Sequence, residues 1–354
     1  MSQINTQLIF YHKINLNLTY LIFFPKTVNN LATFINRTFL SLNMELDEKN
    51  KILFESLLEY ARFSVKDLAR VLKVTKSAVT KRLKLLEEKG YISRYDAIIN
   101  WQKLPFVKKV YFITVDKNRE EFEELIISQE PVFSLINLSG LYDYQFWCFF
   151  KNVKQQKFFE AKIKKFGKKS IKVSKLIFPR VSFFGLPLKL SPPKIKDKRL
   201  NLRPIDIKIM KYMAAGHGRE SFYQMSNDLK LPYDSVHYHG KNLLRAGYFE
   251  KIIAQPGKNK LSLQTTCLLI KCGDKKYAEI LYNSLIKVPR VISVAISNDG
   301  KVMIHFLSQT HQEYREKLAE ILSLIPKKEI GNVIIAYWEK VILNNRYPLE
   351  YLLN

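Results

Sequence analysis

Side chains that can bind a polyanion are concentrated in residues 75–84, whose sequence is TKSAVTKRLK. Serine and threonine hydroxyls and the arginine guanidinium can hydrogen-bond base edges, while lysine ammonium groups neutralise phosphates. Val79, Leu83 and Leu86 have the spacing of a buried helical stripe, so the polar residues lie on the remaining faces of one helix. The stretch predicts nucleic-acid binding, with a solvated basic face as the alternative.

Histidines and catalytic motifs give a weaker signal. His237 and His239 stand two residues apart, and on a helix such residues point to different sides. No cysteine or acidic residue stands nearby at a metal-ligand spacing, so we expect a structural or phosphate-contacting role and no metal. The sequence contains no P-loop, GxSxG or HExxH motif. It therefore predicts neither a cofactor nor an enzyme.

The charge of the whole chain indicates the same class of partner. Its 354 residues carry a formal net charge of +26, from 58 basic and 32 acidic side chains. Residues 151–199 alone hold 16 basic and two acidic residues, which favours a surface that faces phosphates. A field of this sign concentrates polyanions, so double-stranded DNA or an anionic membrane is expected unless the lysines only form an inert solvated surface. No apolar run approaches the length of a membrane span, which favours DNA and no membrane.

The cysteines indicate a compartment. Cys148, Cys267 and Cys272 form no CxxC pair and no even-numbered disulfide framework. We expect them to be small core residues in a reducing, cytoplasmic environment. A secretory signal is not expected either, because the apolar run at residues 18–24 stops at Pro25 after seven residues.

The elements that position residues 75–84 are predicted to form a three-helix head. Asp47 can cap the first helix, and Ser64 begins the second with a pattern close to a capping box. Thr75 is a good N-cap for a third helix over 76–89, which Gly90 ends. A tight link between the second and third helices is typical of a helix-turn-helix. Residues 91–95 and 97–100 are then predicted to form a short two-stranded wing.

The order of elements after the head is βαββαβ, typical of a ferredoxin-like module. The predicted strands are 107–115, 132–138, 142–150 and 171–178, and the predicted helices are 119–127 and 154–166.

The same pattern occurs twice. Residues 64–91 align without a gap to residues 221–248, so that Ser64 matches Ser221 and Gly90 matches Gly247. Caps, apolar stripe and stop signals all fall in register, which indicates an internal duplication. A second βαββαβ order follows over 261–342. The sequence thus predicts an α+β fold of two winged helix-turn-helix heads, each followed by a ferredoxin-like module.

The predicted divisions of the chain follow from this pattern. Residues 1–43 show no clean helical or strand period and are either a poorly ordered arm or an extension outside the natural product. The divisions are an N-terminal extension at 1–43, a first head at 44–103, a first module at 104–180, a basic Pro-rich linker at 181–200, a second head at 201–259, a second module at 260–345 and a C-terminal tail at 346–354.

Residues 46–178 resemble the Lrp/AsnC family of transcription regulators. The resemblance rests on the head sequence over 46–100 and on LSGLYDYQFW at 138–147, which is similar to the Gly-x-Tyr-Asp turn of that family. It is weaker over 202–342, where this turn is missing. The resemblance implies that the third helix enters the DNA major groove and that the α/β modules dimerise and sense small molecules.

Carried over position by position, the resemblance gives candidate sites. The expected DNA contacts are Thr75, Lys76, Ser77, Thr80, Lys81, Arg82 and Lys84 in the first head and Ser235, His239 and Lys241 in the second. The expected effector contacts, for a ligand such as an amino acid, are Gly140, Tyr142, Asp143 and Tyr144. A homodimer is a further expectation. For the turn, tight hairpin geometry is the alternative.

Two other functions remain open at this point. The head-plus-module architecture also resembles siroheme decarboxylases, which use a His-bearing strand in the module. Residues 136–150 contain no histidine, and His305 in the second module stands alone in an alternating apolar strand. The third function is an architectural protein that binds DNA mostly through its phosphates.

Overall fold

The first head has the three helices that its caps and apolar spacing predict. The computed structural model describes residues 46–352 except 116–117, 167–168, 178–189, 197, 286–287 and 345–346, so the predicted extension at 1–43 lies outside the described residues. Asp47, Ser64 and Thr75 each accept a hydrogen bond from a main-chain N–H of the helix that follows. The helices are α1 (Glu48–Glu59), α2 (Val65–Leu72) and α3 (Lys76–Glu88), and strand β1 (Ile92–Ile99) follows.

The first module has the predicted βαββαβ order. Its strands carry β-branched and aromatic residues, and its helices pack their apolar residues onto one face of the sheet. Its elements are β2 (Val107–Ile113), α4 (Arg119–Ser128), β3 (Val132–Gly140), β4 (Tyr144–Phe150), α5 (Val153–Lys162) and β5 (Lys169–Ile177). Gly167, which follows the predicted helix 154–166, lies outside the described residues.

The second half repeats these elements. Ser221 caps its helix as Ser64 does, and Lys230 takes the same left-handed backbone as Lys73, with φ of 53° and 52°. The head comprises α6 (Pro204–Ala214), α7 (Phe222–Leu229), α8 (Tyr233–Arg245) and β6 (Phe249–Pro256). The module comprises a one-turn helix α9 (Lys258–Leu261), then β7 (Gln264–Cys272), α10 (Lys275–Leu285), β8 (Val291–Ser297), β9 (Lys301–Ser308), α11 (His311–Ser323) and β10 (Ile330–Leu343).

The predicted two-stranded wing is wrong. β1 continues through Asp96 without a turn and pairs with β6 of the second head instead of folding back on itself. Ile92 lies opposite Pro256, and Ile99 lies opposite Phe249. Corresponding residues of the two copies are 157 positions apart, so Ile92 corresponds to Phe249 and Ile99 to Pro256. The start of each strand therefore lies opposite the end of its counterpart. This register relates the two heads by an approximate two-fold axis.

The eight module strands form one closed barrel, in the order β10-β3-β4-β2-β5-β8-β9-β7. The last strand of each module pairs with the second strand of the other, so that Ile177 faces Val294 and Ala336 faces Gly140. The two sheets therefore join through their edges within a single chain.

Alternating residues of the barrel strands contribute to three apolar clusters, one under the helices of each module and one inside the barrel. The outward residues pack under α4 and α5 in the first module and under α10 and α11 in the second. The inward residues, with Val110, Phe112 and Met303 among them, belong to one apolar cluster with the residues between the heads and the barrel. Within the described part of the chain, no helix is both long and apolar enough to cross a bilayer.

Candidate functional site

Most of the predicted DNA contacts of the first head share an exposed surface. Val79, Leu83 and Leu86 hold α3 against the rest of the head. Thr75 accepts the N–H of Ala78 (3.1 Å), which fixes the first turn of the helix. The exposed candidates are Thr75, Lys76, Ser77, Thr80, Lys81 and Lys84.

The side chain of Arg82, which the sequence predicts to contact DNA, makes hydrogen bonds within the head. Its guanidinium donates to both carboxylate oxygens of Asp47 (2.8 and 2.6 Å) and to Asn50 Oδ1 (2.9 Å). Partial burial opposes ionisation of Asp47, but these bonds and the N–H of Asn50 outweigh it and lower the pKa of Asp47. Arg82 therefore ties α3 to the cap of α1.

The matching residue of the second head makes an equivalent contact. His239 Nδ1 lies 2.8 Å from Asp206 Oδ1, and both side chains are largely buried. Ser235 is half-buried, so of the three candidates in this head Lys241 is the exposed one. On the same helix, Tyr233 and Tyr238 are exposed to solvent. The corresponding residues of α3 are Lys76 and Lys81. The second head has thus exchanged lysines for tyrosines on this face.

Two half-buried arginines join the heads. Arg62 donates to the main-chain oxygens of Gly218 and Glu220, both at 2.8 Å, and Arg219 donates to the main-chain oxygen of Ala61. Burial lowers the pKa of both guanidinium groups. Since a buried guanidinium without acceptors would be costly, these contacts hold the heads in one arrangement.

The 140–144 turn is built largely from internal contacts. Gly140 has φ of +137°, and a Cβ there would lie 2.8 Å from the main-chain oxygen of Ile335, so the position requires glycine. Asp143 accepts the Val115 N–H (2.8 Å) and a bond from Arg119 (2.6 Å).

The tyrosines of the turn are also engaged. Tyr144 donates to Glu123 (2.7 Å), and burial followed by this bond raises the pKa of Tyr144 to about 12. Tyr142 packs on Phe112 with ring centroids 5.5 Å apart, and burial raises the pKa of Tyr142. These contacts support the alternative in which residues 140–144 form a tight hairpin rather than an effector site.

A cavity of about 900 Å³ lies between the mouth of the barrel and the strands β1 and β6. None of the four turn residues lines it. His305, which the sequence presents as isolated, lies in this cavity and is buried. Its Nδ1 is 2.7 Å from Ser293 Oγ, and its Nε2 is 3.1 Å from the amide nitrogen of Gln145, across the barrel. The signal that could have found it is its alternation with Met303 and Leu307, which places it on the inner face.

The two modules differ at this position. Ser134 lies opposite Trp147 in the first module, and Ser293 lies opposite His305 in the second, so Trp147 and His305 are counterparts. Metal binding is not indicated at either position, since the described residues contain no group of three or more His, Cys, Asp or Glu side chains that could hold an ion.

Sequence comparison gives relatives for the first half. Residues 54–97 match the model of the MarR family. The HTH-type transcriptional regulator LrpA of Pyrococcus abyssi is 38% identical over 80 residues, which are 23% of this chain and 56% of LrpA. An uncharacterized HTH-type transcriptional regulator of Pyrococcus furiosus is 28% identical over 102 residues, 28% of this chain and 69% of the relative. The chain thus matches just over half the length of LrpA. Over this part of its first half, the chain is similar to HTH-type transcriptional regulators such as LrpA.

The architecture of the whole chain also has a counterpart among solved structures. The siroheme decarboxylase NirDL superposes with a TM-score of 0.55 over 87% of this chain and 96% of its own, at 10% identity. A second structure of NirDL, in complex with an iron-uroporphyrin III analogue, gives a TM-score of 0.54. At this identity the match shows a shared fold of two heads and two modules. The two heads and two modules of this chain are therefore arranged as a pair of units in one chain, as in that fold.

Proposed function

We propose that this protein is a DNA-binding transcription regulator in which α3 reads the major groove. The observation that carries the proposal is the exposed polar surface of α3 on a helix-turn-helix whose apolar stripe is fully buried. The Lrp/AsnC type of the head and the net charge of +26 support it. A cytoplasmic location follows from this function.

The side chains of α3 divide by chemistry. Ser77 and Thr80 carry hydroxyls that can reach base edges, while Lys76, Lys81 and Lys84 suit phosphates or guanine. Arg82 is left out of this set because Asp47 and Asn50 hold its guanidinium. Lysines of α5 such as Lys154 and Lys157 are exposed and suit flanking phosphates.

The approximate two-fold axis gives the proposed geometry of the site. Paired heads address half-sites about one helical turn, 34–36 Å, or a multiple of it apart. Because α8 has tyrosines where α3 has lysines, the two half-sites differ in sequence. Assembly of two chains into a homodimer and an amino-acid effector at residues 140–144 remain predictions.

The experiment is a selection of bound duplexes from a random pool, followed by anisotropy titrations at fixed salt. Lys81→Ala and Thr80→Ala weaken binding to the selected site by about 1–3 kcal/mol where the side chain reads a base. Lys328→Ala, an exposed lysine in the second module, is the matched control. Equal affinity for all three variants and the parent contradicts the proposal. Binding without a preferred sequence, with a steep salt dependence, favours the architectural alternative.

A tetrapyrrole enzyme is the second candidate, because the fold match to NirDL extends over 87% of the chain. His305 in the cavity is the residue that such a function would use, although Trp147 replaces its counterpart in the first module. Adding iron porphyrin and recording the Soret band tests binding, and mass spectrometry after incubation with siroheme tests decarboxylation. Unchanged spectra and unchanged siroheme remove this candidate.

A further inference from the structure

Residues 190–200, just before the second head, form neither helix nor strand in their described part, and they are called the strap below. We propose that the strap binds in the minor groove of DNA, beside the half-site that α8 addresses. This inference rests on the proposed DNA-binding function and adds to it a contact that neither α3 nor α5 supplies.

Main-chain hydrogen bonds hold the strap against the second head. The Lys196 N–H donates to the carbonyl oxygen of Arg245 (2.7 Å), at the end of α8. The Leu200 N–H donates to the Tyr248 hydroxyl (3.0 Å), which donates in turn to the Leu200 carbonyl oxygen (3.1 Å). Because these bonds use main-chain atoms of the strap, its charged side chains are left available for a partner.

One apolar side chain of the strap packs on the head as well. Ile195 lies against Gly247, where φ is +74° and a Cβ would come within 2.4 Å of Ile195 Cγ2. The glycine therefore ends α8 and also makes room for the strap. Lys194 and Lys196, on either side of Ile195, are exposed. The strap thus contacts the head through Ile195 and presents its cations to solvent.

The cations of the strap have no counter-charge in the described part of the chain. The basic residues are Lys194, Lys196, Lys198 and Arg199, and all four are exposed. None of them has an ion-pair partner among the described residues. Asp197 is the one acidic residue of the segment, so the strap carries a formal charge of +3. Unpaired like charges held close together favour a polyanion as the partner.

The strap borders the exposed face of α8. Lys194 lines a hollow of about 290 Å³ together with Lys241 and Arg245, which are four residues apart on α8. Glu59 and Glu250, the two carboxylates of the lining, are half-buried, whereas these three cations are exposed. The cations of the strap and of α8 therefore form one continuous surface.

The strap also supplies charge that α8 lacks. α8 has Tyr233 and Tyr238 at the positions where α3 has Lys76 and Lys81. A head with tyrosines at these positions needs cations from another element to neutralise the DNA backbone. The strap is the basic segment that is fastened to this head, and it runs next to its recognition helix.

The form of the strap favours the minor groove over the major groove. The minor groove is about 6 Å wide, which admits a single chain but not a helix about 10 Å across. Pro192 and Pro193 have fixed φ angles and no N–H donors, so lysine and arginine side chains supply the donors of the strap. The A·T edges in this groove offer only acceptors, and narrow A·T tracts attract such cations.

The test measures DNA binding of the full chain and of K194Q/K196Q/K198Q by fluorescence anisotropy at fixed salt. Glutamine keeps the main-chain bonds of the strap and removes three charges. K275Q/K276Q/K328Q, with the same loss of charge from exposed positions of the second module, is the matched control. Each protein is titrated with the selected duplex and with duplexes in which one adenine is replaced by 2,6-diaminopurine. This base adds an amino group in the minor groove and leaves the major-groove edge unchanged.

The expected loss of affinity for K194Q/K196Q/K198Q is about three- to thirtyfold, as for three exposed charges, and it exceeds the loss for the control variant. Diaminopurine at adenines beside the α8 half-site weakens binding of the parent about fivefold or more, because the added amino group meets the cations. The strap variant is insensitive to the same replacement, since its cations are gone.

Two outcomes overturn the proposal. Equal losses for the strap variant and the control variant reject the strap as a DNA contact. Diaminopurine without effect on the parent at every adenine rejects the minor groove. The regulator proposal fails separately, when no duplex is preferred. In that case a duplex of A·T pairs, with and without diaminopurine, still tests the strap, so the two failures are distinguishable.

Discussion

The polar side chains of α3 divide into an exposed set and one, Arg82, whose guanidinium is held by Asp47 within the head. The lysines and hydroxyls at residues 75–81 are exposed as expected. Arg82 has the best chemistry for reading guanine but is bound to Asp47, which lies 35 residues earlier. Sequence spacing along one helix cannot show this, because the acceptor belongs to another helix. The same holds for His239 and Asp206 in the second head.

The Arg82–Asp47 pair gives a pH-dependent prediction. The pKa of Asp47 is lowered in the folded protein from its usual 3.8, so the pair contributes stability above that pH and loses it as the pH falls through the folded value. Asp47→Asn keeps a good N-cap while removing the charge. At pH 7 the variant has a free energy of unfolding lower by about 0.5–1 kcal/mol, as for an exposed pair.

Urea unfolding of both proteins at several pH values measures this difference. It shrinks as the pH falls below 3.8, since the parent then loses the charge that the variant lacks. A difference that stays constant down to the lowest pH at which both proteins fold would assign the effect to the hydrogen bonds of the cap rather than to the charge.

At the scale of elements, local sequence signals predict where helices and strands form, but they do not predict which strands pair over long range. Caps such as Thr75 and the apolar stripes placed the helices and strands of both copies close to their observed bounds. β1 was also foreseeable as extended chain, but its partner lies about 157 residues away in β6. The pairing of β5 with β8, which helps to close the barrel, likewise joins strands that are far apart in the sequence. A strand's pattern indicates which face is buried, and it does not indicate which strand pairs with each edge.

A packing exchange between α7 and α8 can be tested directly. Gly240 occupies the position of Leu83, and Phe222 occupies the position of Val65, so the second head has moved side-chain volume from one helix to the other. A Cβ at Gly240 would lie 2.4 Å from the Phe222 ring, which Arg62 covers at 5.0 Å. The glycine therefore makes room for the ring, despite its cost of about 1 kcal/mol in helix propensity.

Gly240→Leu alone destabilises the protein by about 1–3 kcal/mol, because the added volume has no space. Phe222→Val alone destabilises it through the cavity it leaves. The double variant restores the pair found in the first head and costs less than the sum of the two. Thermal unfolding of the four proteins as a double-mutant cycle measures the coupling, and additive effects would contradict the exchange.

At the scale of the whole molecule, the duplication places both units of a two-fold arrangement in a single chain. Both sheet edges of each module are used within the barrel, and both head strands pair with each other. The two-fold arrangement therefore does not require a second copy. The halves have since diverged at the surface, with lysines on α3 and tyrosines on α8, and inside the barrel, with Trp147 in one module and His305 in the other.

The charge of +26 acts either as a diffuse field or through particular lysines, and salt dependence separates the two. Exposed lysines of α5 and the turn after it are expected to neutralise flanking phosphates. K154Q/K157Q/K164Q therefore makes the fall of log K with log salt concentration less steep, by about 0.9 for each phosphate that is no longer neutralised.

The control variant K275Q/K276Q/K328Q removes the same charge from exposed positions of the second module. Anisotropy titrations at several salt concentrations give both slopes. Equal slopes for the two triple variants would mean that the basic surface attracts DNA only through the net charge, whereas a smaller slope for the α5 variant alone places the phosphates against α5.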